Sequence, residues 1–265
     1  MDIYPIVLGI IQGITEWLPI SSKTQIMIAS IFLLHINLSV AYTFGLFMEI
    51  GTIFSAIVYF RKDIIKILKD RKMLLYVIVA TLFTGIIGAP LYFLSKHLLN
   101  GSYNLGLPML ILGIILIIDG LYISYSRKKI NLKERKDLTL KDIIIVGIAQ
   151  GIAALPGVSR SGMTVSSMLL LNYDPKDAFS FSYILYIPAA LGAFFLTLLF
   201  SRNSISNVIS NLSISGLIIS IIVSFVIGIL TIDFLIKFAK KEKVYIVNYF
   251  LGAIAIIFSL LTFIL

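Results

Sequence analysis

Six stretches of about twenty mostly apolar residues, near 41–60, 73–94, 107–126, 177–200, 213–236 and 244–264, constrain this chain more than any other feature. A helix needs about that length to cross the roughly 30 Å hydrocarbon layer of a bilayer, because each residue adds about 1.5 Å. Composition agrees: 59% of the chain is hydrophobic, 13% is charged and the mean hydropathy is +1.02, values outside the range of soluble globular domains. The expected fold is an all-α polytopic membrane protein with about six transmembrane helices. Cysteine is absent, which excludes disulfides, thiolate nucleophiles and cysteine metal sites.

The formal charge of +9 invites a nucleic-acid reading, but its distribution argues otherwise. Segments 61–72, 127–141, 172–177 and 237–243 hold 18 of the 22 lysines and arginines. Threading six spans puts all four segments on one side, which the positive-inside rule makes cytoplasmic. The expectation is a multi-pass protein of the cell membrane, with the bilayer rather than nucleic acid as its partner. A homo-oligomer is compatible with the sequence. Lys96 and Arg202 fall in short outer loops, whereas Lys23 and Arg160 fall in no connecting loop.

Those two cations occupy matching places in an internal repeat. GIIQGITEWLPISSKT (Gly9–Thr24) is echoed by GIAQGIAALPGVSRS (Gly147–Ser161). Each copy precedes three spans, and three is odd, so the second copy enters the membrane from the opposite face. The chain therefore divides into repeat 1 (1–126), a basic cytoplasmic loop (127–141) and repeat 2 (142–265), with an inverted topology. Transport folds built this way place their site at the midplane, where discontinuous helices meet. Pro19 and Pro156 interrupt the motif regions 2–36 and 142–172, since proline cannot donate the bond that a continuing helix needs. A second arm is expected to start near Ser22 or Ser159, both good N-caps. Each region reads as a re-entrant helical hairpin, because irregular backbone at membrane depth is tolerated where it lines a protein cavity. Gly9/Gly13 and Gly147/Gly151 have the spacing that lets helices pack closely.

The polar residues at the two turns suggest an anion site. Free N–H groups and the dipole of the second arm favour negative charge. Ser159, Ser161 and Thr164 add hydroxyls, and the planar fork of Arg160 suits two phosphate oxygens. In the first turn, Glu16 follows Gln12 by one helical turn. An acid inside a membrane segment marks function by default; Glu16 could be a general base, a metal ligand or the counter-ion of Arg160 or Lys23. Ser21 and Ser22 are candidate nucleophiles if a base lies within reach. Outside the motifs, Glu49 is the foremost buried acid, Asp119 reads as structural with a basic partner, and Asp233 is expected to pair with Lys237. His35 and His97 read as interfacial.

QGITEWLPISS (Gln12–Ser22), PGVSRSGMT (Pro156–Thr164) and AFSFSYILYIPAALGA (Ala178–Ala193) together resemble the motif regions of the undecaprenyl-diphosphate phosphatase family, the bacitracin-resistance integral membrane proteins. The resemblance covers nearly the whole chain in order, spacing and span count. It implies a membrane phosphatase that converts a polyprenyl diphosphate to the monophosphate, recycling the lipid carrier of envelope glycans with a divalent cation, Mg²⁺ or Ca²⁺. Carried over, Glu16, with Gln12 beside it, and Ser22 fall in the acidic motif and at the nucleophile position, and Ser159, Arg160 and Thr164 bind the diphosphate, so that Glu16, Ser22 and Arg160 are the catalytic candidates. From their own chemistry Gln12, Ser21, Lys23, Gln25 and Ser161 join Ser159 and Thr164 as candidate diphosphate contacts, Lys23 being a substitution at the tip, and Glu16 is the candidate metal ligand. The family usually has a histidine where Gln25 stands. Glutamine hydrogen-bonds but transfers no proton near neutral pH, which puts a mechanism with an essential histidine here in doubt. The rival reading is a transporter that moves a polyprenyl phosphate or related anion without hydrolysis.

Overall fold

The structure, a computed structural model, describes residues 3–99, 106–128, 133–134, 137–241 and 243–264. Parts of the basic segments 127–141 and 237–243, and residues at the edges of both expected repeats, lie outside the described residues. Eleven helices follow one another among the described residues: α1 (Tyr4–Thr15), α2 (Ser22–Leu34), α3 (Leu38–Tyr59), α4 (Arg61–Lys69), α5 (Arg71–Leu99), α6 (Gly106–Ser126), α7 (Leu140–Ile152), α8 (Arg160–Leu170), α9 (Pro175–Phe200), α10 (Arg202–Lys241) and α11 (Tyr245–Ile264). No strand forms among the described residues beyond an isolated bridge between Lys133 and Tyr173.

Five of these, α3, α5, α6, α9 and α10, are long and apolar enough to cross a membrane. The sixth expected run forms α11, whose apolar stretch counts as a shorter helix over Tyr245–Ile257. Large apolar side chains such as Leu82 and Ile86 on α5 and Leu230 and Phe234 on α10 are exposed, as bilayer-facing surfaces require. Two elements differ from the sequence expectation. Segment 61–72, read as a loop, is largely the helix α4: Ile64 and Ile67 lie one turn apart and pack on the core, leaving its lysines outside. The run expected from residue 213 is continued backwards by a more polar helical stretch from Arg202, and the kink between them is at Ser213 (φ 61°, ψ 163°).

The four motif helices are short. At 11 to 13 residues they span on the order of 17–20 Å, well under the hydrocarbon thickness. Each pair therefore forms a hairpin whose turn, at 16–21 or 153–159, sits among the spans. Ser159 caps α8 as its sequence suggests, its Oγ accepting from Gly162 N at 3.1 Å. The first turn is built differently. Ser21, at φ 57° and without a side-chain cap, precedes α2, so Ser22 is the first helical residue rather than the cap. That frees the Ser22 hydroxyl for another partner. The second turn relies on Gly157, whose φ of +93° strongly disfavours a side chain.

Packing pairs α1 with α10 and α7 with α5, and glycine makes both contacts. A Cβ on Gly9 would stand 2.7 Å from Ser220 O, and one on Gly147 would stand 2.6 Å from Ala80 O. Thr231 donates to Gly13 O at 3.2 Å and Thr84 to Gly147 O at 3.1 Å, tying each arm to its span. Helices α6 and α11 pack on each other through Gly113 and Gly252. Helix α3 lies at the centre, against α2, α9 and α10. Gly147→Leu and Gly9→Leu are expected to lower stability by about 1–3 kcal/mol through overpacking. Gly85→Ala, where an added carbon meets nothing within 4 Å, is expected not to lower it and to raise it by up to about 1 kcal/mol through helix propensity; thermal melts in detergent decide this.

Candidate active site

The two turns interlock. Lys23 Nζ crosses to Ala153 O at 2.5 Å. Gly157 N donates to Thr24 Oγ1 at 2.9 Å, and Ser161 Oγ donates to Leu18 O at 3.3 Å. Arg160 forms a salt bridge with Glu16 through Nη2 and Oε1. Its other nitrogen, Nη1, lies 3.6 Å from Glu49 Oε2 on α3. The guanidinium thus stands between two buried carboxylates, with the Tyr186 ring of α9 3.5 Å from its centre. A cation over an aromatic face is held by the ring's quadrupole as well as by charge.

Glu16 is oriented on every side. Its Oε2 accepts from Ser22 Oγ at 2.7 Å and from Gln12 Nε2 at 2.7 Å. Gln12 is steadied in turn by Thr52 at 3.2 Å, and Thr52 shares a 2.8 Å bond with the Tyr186 hydroxyl. The motif spacing explains the first contact: Gln12 and Glu16 share one face of the last turn of α1. The turn then brings Ser22, six residues on, back to the same carboxylate. A hydroxyl bonded to a carboxylate that is itself held by a third group is the arrangement of an activated nucleophile and its base.

Glu16, Ser21, Ser22, Lys23, Glu49, Ser159, Arg160 and Ser161 surround one small polar cavity. The remaining sequence candidates stand outside its lining. Gln12 supports Glu16. Thr164 donates to Arg160 O at 2.9 Å and bonds the Ser182 hydroxyl, behind the arginine. Gln25 donates to Ile20 O at 3.2 Å, bracing the first turn. Lys23 reaches the opposite turn's carbonyl rather than forming the pair with Glu16 that its sequence position allows. Glu49 joins the cluster, and its only sequence signal was an acid in mid-span. Thr52 had none, because threonines are ordinary in spans, and Tyr186 was marked only by lying in the Ala178–Ala193 stretch, with no role attached.

Lys23, Glu49 and Arg160 also form the head of a larger cavity of about 330 Å³. Its walls come from α3, α5, α7 and α9 and are rich in small residues, among them Gly88, Ala89, Ala154 and Ala190, with Tyr42, Tyr92, Gln150 and Leu196 beside them. Gly85 and Gly192, on its rim, are exposed on the bundle's outer face. The site is therefore a charged pocket at the end of an apolar groove that reaches the exterior.

Among the described residues no three His, Cys, Asp or Glu side chains converge. The donors at hand are oxygens: Glu16, Glu49, Ser22 and Gln12, whose Oε1 is a buried acceptor without a hydrogen-bond partner. This set fits a hard cation such as Mg²⁺, which characteristically takes one or two carboxylates and completes its shell with water and substrate phosphate.

Comparison with known proteins gives concordant results. A family model described as "Bacitracin resistance protein BacA" matches residues 5–257. A protein of Sulfurisphaera tokodaii named undecaprenyl-diphosphatase is 58% identical over 97% of each chain. One of the same name from Saccharolobus islandicus is 54% identical over 97% of this chain and 96% of its own. A third, from Pyrobaculum aerophilum, is 39% identical over 96% of both.

Removing one partner of a buried ion pair strands the other, at a cost of about 3–5 kcal/mol. Arg160→Ala, which leaves Glu16 and Glu49 facing each other, is expected to lower stability by that order. Adding Glu49→Gln recovers part of the loss, read by denaturant titration in detergent.

Proposed function

We propose that this chain, which belongs to the bacitracin resistance protein BacA family, is an undecaprenyl-diphosphatase. It converts undecaprenyl or another polyprenyl diphosphate to the monophosphate and phosphate, and so recycles a lipid carrier for envelope glycans. The observation that carries the reading is the Ser22–Glu16–Arg160 arrangement at the end of an apolar groove. The prenyl chain lies in the groove and between the spans, and the diphosphate enters the charged cluster.

Charge balance shapes the chemistry. Glu16 and Glu49 offset Lys23 and Arg160, so the empty cluster is close to neutral. An entering diphosphate adds negative charge, and Arg160 turns its fork from Glu16 towards the phosphate oxygens, where bidentate bonding is strongest. Glu16, released from that salt bridge, takes the Ser22 proton as the hydroxyl oxygen attacks the terminal phosphorus. The anhydride bond breaks, its electron pair leaves with the polyprenyl monophosphate, and Glu16 passes the proton to that leaving phosphate. Water then attacks the phosphorus on Ser22, and Glu16 takes the water's proton and returns it to Ser22 Oγ as phosphate departs. Lys23 and the hydroxyls of Ser21, Ser159 and Ser161 stabilise the transferring group by position and charge, the main requirement of phosphoryl transfer. Mg²⁺, held by Glu16 and Glu49 and carried in with the diphosphate, would neutralise charge on the phosphate oxygens; Ca²⁺ suits the same donors. Gln25 moves no proton in this scheme, which accounts for the absence of a histidine there. The two hairpins are proposed to enter from opposite faces as an inverted repeat in the cell membrane, with segments 61–72, 127–141 and 237–243 cytoplasmic.

Purified wild-type protein given a C55 diphosphate with Mg²⁺ is expected to release phosphate. Glu16→Ala and Arg160→Ala should lose at least about 10²-fold in kcat/KM, the scale of removing a general base or a transition-state charge partner. Ser22→Ala should lose as much. Full turnover in Ser22→Ala would make water the nucleophile. Lipid movement across vesicles without phosphate release would replace the phosphatase with a transporter.

A further inference from the structure

Asp119 reads from the sequence as a structural acid that could take a basic partner, and among the described residues its hydrogen bonds come from no cation. It lies on α6, is 3% exposed, and its Oδ2 accepts from two donors. One is the backbone N of Ser159 at 3.3 Å; the other is Asn248 Nδ2, on α11, at 3.0 Å. The second hydrogen of the same Asn248 nitrogen goes to Pro19 O at 3.0 Å. Pro19 belongs to the first turn and Ser159 to the second. Two side chains on two neighbouring helices thus grip the backbone of both turns at once.

The grip falls where it matters for spacing. Pro19 lies between Glu16 and Ser22, and Ser159 immediately precedes Arg160. Neither Asp119 nor Asn248 lines the polar cavity, so neither is placed to touch substrate. Their helices form a stiff base, because Gly113 and Gly252 let α6 and α11 approach to backbone contact. The bonds across the turn interface, from Lys23, Thr24 and Ser161, join the turns to each other. Helix α9 also touches both sides, through Tyr183 to Trp17 O and Tyr186 against Arg160, but the Asp119–Asn248 pair binds the backbone of both turns through side chains that are hydrogen-bonded to each other. The salt bridge of Arg160 cannot serve that purpose during a reaction in which the guanidinium must turn to the substrate.

We propose that Asp119 and Asn248 act as a latch that sets the separation of the two turns, and hence of Ser22 and Glu16 from Arg160. They are positioning residues, acting through backbone at Pro19 and Ser159. Displacements of about 1 Å in such a constellation cost on the order of 10²-fold in rate. Binding of a long apolar tail in the groove would hardly register them.

The chain carries its own reporter. Trp17 is its single tryptophan, is fully buried in the first turn, and its carbonyl is held by the Tyr183 hydroxyl at 2.6 Å. The kinetic readout rests on the phosphatase reading; Trp17 fluorescence does not. In detergent, Asn248→Ala, Asn248→Leu (which keeps the volume) and Asp119→Ala are expected to lower kcat by about 10- to 100-fold. KM should stay within about threefold. Asp119→Asn, which keeps an acceptor oxygen for Ser159 N, should restore most of the turnover lost in Asp119→Ala. Acrylamide should quench Trp17 more readily in both Asn248 variants than in wild type. Wild-type kcat with unchanged quenching in Asn248→Ala and Asn248→Leu overturns the latch. So does failure of Asp119→Asn to exceed Asp119→Ala. Should the wild type release no phosphate, the reaction falls on its own, and quenching alone decides: increased in the Asn248 variants supports the latch, unchanged overturns it.

Discussion

The contact on which the rest depends is the one between Arg160 and its two carboxylates. A guanidinium, an ammonium and two carboxylates are each expensive to remove from water, and they repay that cost only when each meets an opposite charge or a well-placed hydrogen-bond partner, as Arg160 meets Glu16 and Glu49 and Lys23 meets Ala153 O. Here no single hairpin could achieve this. The first turn brings Glu16 and Lys23, the second brings Arg160, and the central span α3 brings Glu49. Each segment carries charge that is intolerable alone and acceptable together. That requirement forces the two turns to meet, and the glycine contacts of α1 on α10 and of α7 on α5 give them room to do so.

Much of this was legible in the residues. Apolar run length marked the spans, because bilayer thickness leaves little freedom in helix length. The duplicated motif marked both turns and the close-packing glycines, since proline breaks and missing Cβ atoms act locally. What could not be read was which face each polar group would show once the turns closed. Ser22 looked like a cap and is the first helical residue; Thr164 looked like a phosphate ligand and bonds the carbonyl behind Arg160. Lys23 could have paired with Glu16 and instead spans to Ala153. Each outcome follows from backbone torsions in a turn of a few residues, the left-handed Ser21 above all, and a single sequence does not encode those in any periodicity. Asn248 was silent for a different reason: its partners are one backbone carbonyl and one acid, each more than a hundred residues away.

Relationships among side chains also explain why the aromatic content of α9 matters. Tyr183 holds the carbonyl of Trp17, and Tyr186 lies against the guanidinium while bonding Thr52. One helical turn therefore touches the base side and the cation side of the cluster together. A buried polar network of this kind specifies one arrangement only if nearly all its members are satisfied, and Gln12 Oε1 is one of its few unpartnered atoms.

The groove has a consequence for discrimination. Its wall is rich in glycine and alanine, with Tyr42, Thr81, Thr84, Tyr92 and Gln150 also lining it, and a prenyl tail lying in it carries no group that differs between the two ends of the reaction. Diphosphate and monophosphate carriers share the same tail, so whatever the groove contributes to holding the reactant it contributes equally to holding the product. Preference between them must come from the charged head alone, as one phosphate group more or less against a nearly neutral cluster. An enzyme built this way sheds its product by electrostatics, and its grip on the lipid sets how long either form lingers rather than which one leaves.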